Sequence, residues 1–251
     1  MKRVIQIIEP QAVIEGAGVR LKRSLGGRAL DYLDPFLLLD HFDSKNPADY
    51  QAGFPLHPHR GIETVTYILS GAVTHKDSLG NHGTIGAGDL QWMTAGRGIL
   101  HEEMPQVRPE GISGFQLWVN LAAKEKMTTP RYQNINANEI PEIARPEGTR
   151  IRVVAGKVDG VSGPVSGISV APTYLDVSVP ARMTFTHPVP SGHAALAYVF
   201  AGAVNVISAQ DKEVRIDAPK LLVWGEGDAM QVTATEAPAR LLVVSGAPLK
   251  E

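Results

Sequence analysis

Short apolar stretches separated by glycine and proline recur along the whole chain. Stretches rich in Val, Ile, Thr and Tyr and bounded by turn residues predict β-strands. Helical periodicity is nearly absent, and Asn138–Ala144 is the one segment that we predict as a short helix. Many short strands at regular spacing predict an all-β fold of the sandwich or barrel type. The clearest strand segments are Glu63–Leu69, Asp89–Met93, Gly114–Asn120, Arg150–Gly156, Thr173–Val179, Ala197–Ala201 and Ala239–Val244.

Two parts of the chain resemble each other. Residues 67–73 read Tyr-Ile-Leu-Ser-Gly-Ala-Val, and residues 198–204 read Tyr-Val-Phe-Ala-Gly-Ala-Val. A Gly-Asp pair follows each stretch, at residues 88–89 and 227–228. Hairpins of this kind recur in any β protein, but the shared order and spacing favour an internal duplication. We therefore predict two domains, residues 1–135 and 136–251, that meet in a polar, Pro-containing segment.

Composition narrows the possible settings and chemistries. The chain has 251 residues, 43% of them hydrophobic and 20% charged, which is typical of a globular protein with a packed core. The absence of cysteine excludes disulfides, iron–sulfur clusters and thiol nucleophiles. A net charge of −2 gives no electrostatic reason to expect nucleic acid or a membrane surface as a partner. We find no export signal or spanning apolar segment in the sequence, so we expect a cytoplasmic protein.

Two short stretches carry the candidate chemistry. His57-Pro58-His59 and His101-Glu102-Glu103 each place two good metal ligands two residues apart. Alternate residues of a strand point to the same side, so two neighbouring strands could aim His57, His59, His101 and Glu103 at one point. Three imidazoles and a carboxylate suit Fe(II), and also Mn, Co, Ni, Cu or Zn, and they leave up to two positions open on an octahedral ion. The alternative is that these polar groups only satisfy one another's hydrogen bonds.

The identity of the carboxylate ligand is open on spacing alone. Glu102 is adjacent to His101 and is expected to point away from it. Glu63 lies four residues from His59 and has the right parity along one strand, so it competes with Glu103.

The second half lacks a matching ligand set. His187 and His193 lie six residues apart among prolines, and we interpret them as ordinary loop histidines. No His or Glu in the stretch that follows Asp228 corresponds to His101 and Glu103. We therefore predict one metal ion per chain, held by the first domain.

The stretches that carry these ligands resemble a known family. Residues 53–65 and 88–105 resemble the two motifs of the pirins, a branch of the bicupin superfamily, and residues 37–42 and 114–121 are similar to further family patterns. The resemblance implies two cupin domains of the jelly-roll β-barrel type, with the metal in the first. It also implies iron as the metal and Glu103 as its fourth ligand, which leaves Glu63 as a supporting or structural residue.

The resemblance implies a quercetin 2,3-dioxygenase-like activity, in which a flavonol and O2 give a depside and carbon monoxide. Glu103 is then the candidate base for the flavonol 3-hydroxyl. Phe54, Gln116 and Trp118 are candidates to line the site, with core packing as the alternative for the two aromatic residues. Arg60 and Arg97 either stabilise an anionic substrate or pair with Glu63 or Asp89.

Two other kinds of function remain open. Some pirins act as regulators that bind a transcription factor or a metabolic enzyme, and the basic cluster Arg20, Lys22, Arg23 and Arg28 could meet such a partner. We interpret that cluster as a solvated strand face, and the sequence has no nucleic-acid motif. An isomerase or another cupin enzyme is the third possibility. Of the other histidines, His75 and His82 are predicted to be exposed, and His41 is at most a neighbour of the metal ligands.

Overall fold

The computed structural model describes all 251 residues, which divide into two compact units. The N-terminal domain comprises Gln11–Glu139 and the terminal Glu251, and the C-terminal domain comprises Met1–Pro10 and Ile140–Lys250. Almost all regular structure is β-strand, as the apolar pattern predicted.

The strands are numbered in chain order. The first twelve are β1 (Val4–Ile8), β2 (Gln11–Glu15), β3 (Val19–Leu25), β4 (Phe36–Ser44), β5 (Phe54–His59), β6 (Ile62–Ser70), β7 (Ala72–Asp77), β8 (His82–Gly86), β9 (Leu90–Thr94), β10 (Ile99–Pro105), β11 (Ile112–Asn120) and β12 (Arg131–Ile135). The others are β13 (Glu142–Ala144), β14 (Arg150–Ala155), β15 (Lys157–Val158), β16 (Val161–Ser162), β17 (Thr173–Val179), β18 (Thr184–Pro188), β19 (Ala194–Ala201), β20 (Ala203–Ile207), β21 (Glu213–Asp217), β22 (Lys220–Trp224), β23 (Ala229–Ala234) and β24 (Ala239–Gly246). Three 3₁₀ helices span Pro47–Asp49, Ala123–Glu125 and Ala137–Glu139.

Each domain contains one seven-stranded and one four-stranded sheet. In the N-terminal domain the strand orders are β12-β9-β6-β11-β4-β3-β2 and β5-β10-β7-β8. In the C-terminal domain they are β1-β22-β19-β24-β17-β14-β13 and β18-β23-β20-β21, with β15 and β16 as a separate pair. The two sets of sheets match strand for strand, which supports the predicted duplication. The two sheets remain separate in each domain, and each domain is a two-sheet jelly roll, the type of fold that was predicted.

One sequence match behind the duplication was misaligned. The pair Gly88-Asp89 precedes β9, whereas Gly227-Asp228 precedes β23, and β23 is the counterpart of β10. The Gly-x-Gly segments 96–98 and 225–227 are the equivalent turns, because the first ends directly before β10 and the second ends one residue before β23. The match between the two Gly-Asp pairs was therefore wrong by one strand. The residues after Asp228 still form β23, so their comparison with the ligands of β10 remains valid.

The first ten residues belong to the C-terminal domain, whereas the predicted division at 135/136 assigned them to the first. Strand β1 pairs antiparallel with β22, with Val4 opposite Trp224 and Ile8 opposite Leu221. This position at the sheet edge corresponds to that of β12 beside β9 in the other domain.

The predicted helix at Asn138–Ala144 is wrong. The segment contains the end of a 3₁₀ helix, Ala137–Glu139, followed by strand β13. Pro141 explains this outcome, because proline has no N–H to donate and its ring clashes with the preceding helical turn. None of the helices has the length and hydrophobicity that a transmembrane helix requires.

The cores lie between the two sheets of each domain. In the C-terminal domain one large core cluster consists mainly of aliphatic side chains and includes Phe185 and Trp224. The N-terminal domain has smaller clusters, among them Tyr50 with Ile68 and Ile112. The N-terminal domain also buries several polar side chains, including His59, His101 and Glu103. Buried polar groups are costly unless they have partners, so their grouping marks a candidate site.

Candidate metal centre

Strands β5 and β10 bring three histidines together. The two strands are antiparallel neighbours, and His57 lies opposite His101 in the register. The ring centroids of His57 and His101 are 4.4 Å apart, and His59 lies 4.9 Å from each of them. One ring nitrogen from each histidine lies within 4.8 Å of the other two, which is the spacing needed to share one metal ion.

The sequence of β5 suits its place in the sheet. Pro55 and Pro58 lack an N–H, and β5 tolerates them because it is the edge strand of the four-stranded sheet. A β-bulge follows, since His101 pairs with His57 but Glu103 pairs with Phe54, so β5 has one extra residue there. Bulges change the direction of side chains along a strand and are frequent next to functional sites.

The ring nitrogens of the three histidines lie close to one another and differ in their hydrogen bonds. His57 donates from Nδ1 to the Pro55 carbonyl oxygen at 2.9 Å, so its Nε2 carries a lone pair. That Nε2 lies 3.1 Å from Nε2 of His59. His101 is 1% exposed, and neither of its ring nitrogens has a hydrogen-bond partner. Unpaired buried nitrogens are costly in an apolar setting, and a metal ion shared by the three histidines would give His101 a partner.

Burial keeps two of these histidines neutral. Burial, and to a smaller extent the neighbouring imidazoles, lower the pKa of His59 to about 3 and that of His101 to about 4. Neutral imidazole is the form that binds metals, so the site is already in the binding form at neutral pH.

Glu103 lies beside the three histidines but is not a member of their mutual group. Its side chain is buried, and its Oε1 accepts a hydrogen bond of 3.0 Å from the Thr66 hydroxyl. The same hydroxyl lies 2.6 Å from Oε1 of Gln116. A hydroxyl has one hydrogen, so it holds both groups only if the amide of Gln116 turns its NH2 towards Thr66. Burial raises the pKa of the Glu103 carboxyl, while the Thr66 hydrogen bond acts in the opposite direction.

The two other glutamates lie elsewhere. Glu102 faces the other side of β10 and pairs with Lys76 at 2.8 Å, as the alternation along the strand predicted. Glu63 is buried and accepts a hydrogen bond of 2.7 Å from the Thr94 hydroxyl. It belongs to β6 and is not part of the histidine group.

A cavity of about 1080 Å³ opens onto His57, His59 and Glu103. Phe54, Gln116 and Trp118 all line it, as the sequence suggested. The Trp118 ring packs edge-on against the His59 ring, with centroids 5.2 Å apart.

The charged residues of the wall are mostly acidic. Arg60 lines the cavity, whereas Arg97 does not, and neither forms an ion pair with Glu63 or Asp89. Arg23 also lines the cavity, but it is paired with Asp40 and Glu15, each at 2.7 Å.

The remaining polar predictions have mixed outcomes. The basic cluster has little unpaired positive charge. Arg20 pairs with Asp49, and Arg23 pairs with Asp40 and Glu15 as described above. His82 is exposed as predicted. His41 is buried and stacks on Phe115 at 4.7 Å, away from the three histidines.

His75 was predicted to be exposed and is in fact buried. It lies on the inner face of β7, opposite Glu103 in the register of β10, and its Nε2 contacts the Gln91 amide at 2.9 Å. Thr66, Gln91 and His75 are polar residues of the domain interior that sequence reasoning did not find. Their inward parity on strands β6, β9 and β7 was the available signal.

The C-terminal domain retains one of the four candidate ligands. Strands β18 and β23 correspond to β5 and β10, and His187 pairs with Met230 as His57 pairs with His101. His187 is 2% exposed and lies in a strand, so its interpretation as a loop residue is wrong. Two residues further along each strand, Val189 and Val232 take the places of His59 and Glu103. No group of three candidate ligands occurs in this domain.

Comparisons with known proteins cover both domains. The sequence pattern of the pirin family matches residues 18–119, and that of the pirin C-terminal cupin domain matches residues 174–251. A pirin-like protein of Caulobacter vibrioides is 44% identical over 252 residues, covering 100% of this chain and 89% of the relative.

Solved structures agree with these matches. A quercetin 2,3-dioxygenase from Acinetobacter baumannii is 36% identical with a TM-score of 0.87, covering 100% of this chain and 88% of that chain. A bacterial pirin from Escherichia coli in complex with nickel(II) is 20% identical with a TM-score of 0.72, covering 97% and 98%, and shares the fold. These matches confirm the predicted bicupin fold, and the chain belongs to the pirin family.

Proposed function

We propose that this protein is a metal-dependent dioxygenase that cleaves flavonols of the quercetin type with O2. The observation that carries the proposal is the group of three imidazoles, two of them buried, whose ring nitrogens lie within 4.8 Å of one another beside a large cavity. The similarity to a quercetin 2,3-dioxygenase across the whole chain supports it.

The N-terminal domain would hold one metal ion through His57, His59, His101 and Glu103. Nitrogen and oxygen ligands of this kind suit Fe(II), which we propose as the metal, and they also accept Mn, Co, Ni, Cu or Zn. When bound, a divalent ion would supply Lewis acidity at the substrate hydroxyl and positions for substrate and O2.

Glu103 is proposed as the base that takes the proton of the flavonol 3-hydroxyl. It lines the cavity, and the Thr66 hydroxyl fixes one of its carboxylate oxygens. The other oxygen has no hydrogen bond from Thr66 and is the one available to the substrate proton. A base must lie within hydrogen-bond reach of the proton that it takes, and a carboxylate in the wall of the substrate cavity satisfies this condition.

The charge of the cavity favours an uncharged aromatic substrate. Four carboxylates line it, from Glu15, Asp31, Asp40 and Glu103, against two guanidinium groups, from Arg23 and Arg60. This balance disfavours a substrate that carries a fixed carboxylate or phosphate. The aromatic walls Phe54 and Trp118 suit a planar ring system.

Oxygen uptake by the iron-loaded protein with quercetin tests the proposal, with carbon monoxide measured in the same reaction. We expect uptake that requires both iron and quercetin and releases one carbon monoxide per O2. The variant His101→Ala removes one imidazole and is expected to lose both iron and uptake.

A protein that binds iron through His101 but consumes no O2 with any flavonol would contradict the dioxygenase proposal. Capture of a protein partner by such an inactive, metal-loaded protein would then favour the regulatory alternative. His82→Ala is the matched control, because it removes an exposed histidine far from the cavity lining.

A further inference from the structure

The C-terminal domain has a cavity of its own, which we name the His187 cavity. It measures about 610 Å³ and lies along the end of β18, next to residues 156–157 and the segment 165–173. Val165, Ile168 and Val189 provide an apolar wall. The cavity is large enough for a small organic molecule, since sites for such ligands start at about 300 Å³.

Two histidines with unpaired ring nitrogens line this cavity. His187 and His193 both line the cavity, and Nδ1 of each is buried without a hydrogen-bond partner. His187 is 2% exposed and packs in parallel with the Phe185 ring, with centroids 6.3 Å apart. An unsatisfied buried nitrogen costs free energy that a bound polar group would recover.

The residues that line the His187 cavity include few metal ligands. The positions that hold His59, His101 and Glu103 in the N-terminal domain are Val189, Met230 and Val232 here, so two imidazoles are the whole donor set of the cavity. A structural or catalytic zinc site takes at least three protein ligands.

The charge of the residues that line the His187 cavity favours an anion as its ligand. Lys157 is its single charged residue, no Asp or Glu lines the cavity, and Lys157 forms no ion pair. A negatively charged group placed between the ammonium group and the imidazoles would gain charge-assisted hydrogen bonds, which are stronger than neutral ones.

We propose that the His187 cavity binds a small organic carboxylate. The carboxylate contacts His187, His193 and Lys157, and an apolar body rests on Val165, Ile168 and Val189. This site is independent of the proposed dioxygenase activity, because every residue in it belongs to the C-terminal domain.

Benzoate is the probe for the site, and the neutral benzamide and the cationic benzylamine are its matched controls. We would titrate each compound into the full-length, metal-loaded protein and follow the imidazole signals of His187 and His193 by NMR. Benzoate should shift both signals with a saturating dependence on concentration, and the two controls should not.

Variants separate this site from the metal centre. His187→Phe keeps a ring stacked on Phe185 and is expected to weaken benzoate binding about tenfold, the loss typical of a hydrogen bond to a charged group. Lys157→Met changes an exposed side chain, so it should leave folding intact and weaken binding severalfold. His101→Ala should leave benzoate binding at His187 unchanged.

Three results would overturn the proposal. Equal binding of benzamide would show that the cavity does not select an anion. Benzoate binding that persists in Lys157→Met at full strength would contradict the role of the ammonium group. Loss of the His187 signal shift in His101→Ala would place the benzoate at the metal centre instead.

Discussion

At the scale of single residues, Glu103 and Glu102 are adjacent in sequence but lie on opposite sides of β10. Glu103 is buried beside the three histidines, and Glu102 pairs with Lys76. Glu103→Gln keeps the size of the side chain and removes the charge, so it should lower kcat for quercetin cleavage about 100-fold or more, the usual contribution of a general base. Glu102→Gln should leave kcat unchanged within twofold. Steady-state oxygen uptake at equal metal content measures both, and equal losses in the two variants would contradict a special role for Glu103.

Thr66 is predicted to act through Glu103. Its hydroxyl donates to the Glu103 carboxylate at 3.0 Å, so Thr66→Val should lower kcat about tenfold, by releasing the carboxylate, while iron content is retained. Thr94→Val is the matched control, because Thr94 donates in the same way to Glu63, outside the histidine group. Both variants should lose stability by about 1–3 kcal/mol, since each leaves a buried carboxylate short of a donor. Equal kcat in the two variants would refute the positioning role of Thr66.

At the scale of elements, β18 carries the buried His187, whose protonation affects the stability of the C-terminal domain. Burial, and to a smaller extent the charge of Arg145, lower the pKa of His187 to about 4 from a usual value of 6.5. The unfolded chain therefore binds a proton at higher pH than the folded domain does. The domain is stable above the unfolded pKa and loses stability as the pH falls from about 6.5 to 4.

His187→Phe should remove this part of the acid sensitivity. A difference of 2.5 between the two pKa values corresponds to about 3 kcal/mol of stability, which is lost progressively as the pH falls from the unfolded to the folded pKa. The wild-type protein should lose about that much more stability than the variant between pH 7 and 4, as measured by urea unfolding at each pH. His82→Phe, which replaces an exposed histidine, should follow the wild type. Parallel pH curves for the wild type and His187→Phe would contradict the prediction.

The elements were easier to predict from the sequence than their partners. The seven stretches rich in Val, Ile, Thr and Tyr all coincide with strands, because strand propensity and turn residues are local properties of the sequence. The correspondence of His187 to His57 was missed because it depends on which strands are neighbours, and the Gly-Asp pairs suggested an alignment wrong by one strand. The burial of His75 was missed for the same reason: its partner Gln91 comes from another strand. The group of three histidines was predicted because the two-residue spacings that suggested it lie within single strands, β5 and β10.

At the scale of the whole molecule, a bound metal should stabilise one domain and not the other. All four proposed ligands lie in the N-terminal domain, and binding to the folded state alone raises its stability by mass action. Adding Fe(II) without oxygen should raise the unfolding temperature of the N-terminal domain, and a chelator should reverse the shift. The C-terminal transition should stay in place, as followed by Trp224 fluorescence in a Trp92→Phe, Trp118→Phe background. A metal-dependent shift of that transition would contradict the assignment of a single site.

The first ten residues contribute to the domain formed mainly by the end of the chain. Val4 and Ile8 of β1 are buried in the C-terminal domain, at 3% and 6% exposure, while Ile5 and Ile7 are 54% and 42% exposed. The double variant Val4→Ala, Ile8→Ala should destabilise the C-terminal domain by about 3 kcal/mol or more, because each truncation removes buried apolar surface and leaves a cavity. The pair Ile5→Ala, Ile7→Ala removes the same kind of side chain from the exposed face and should cost less than about 1 kcal/mol. Calorimetry would show the C-terminal transition shifting only in the first variant, with iron content of the N-terminal domain unchanged. Equal shifts in both variants would mean that β1 is held by its backbone hydrogen bonds to β22 and not by its buried side chains.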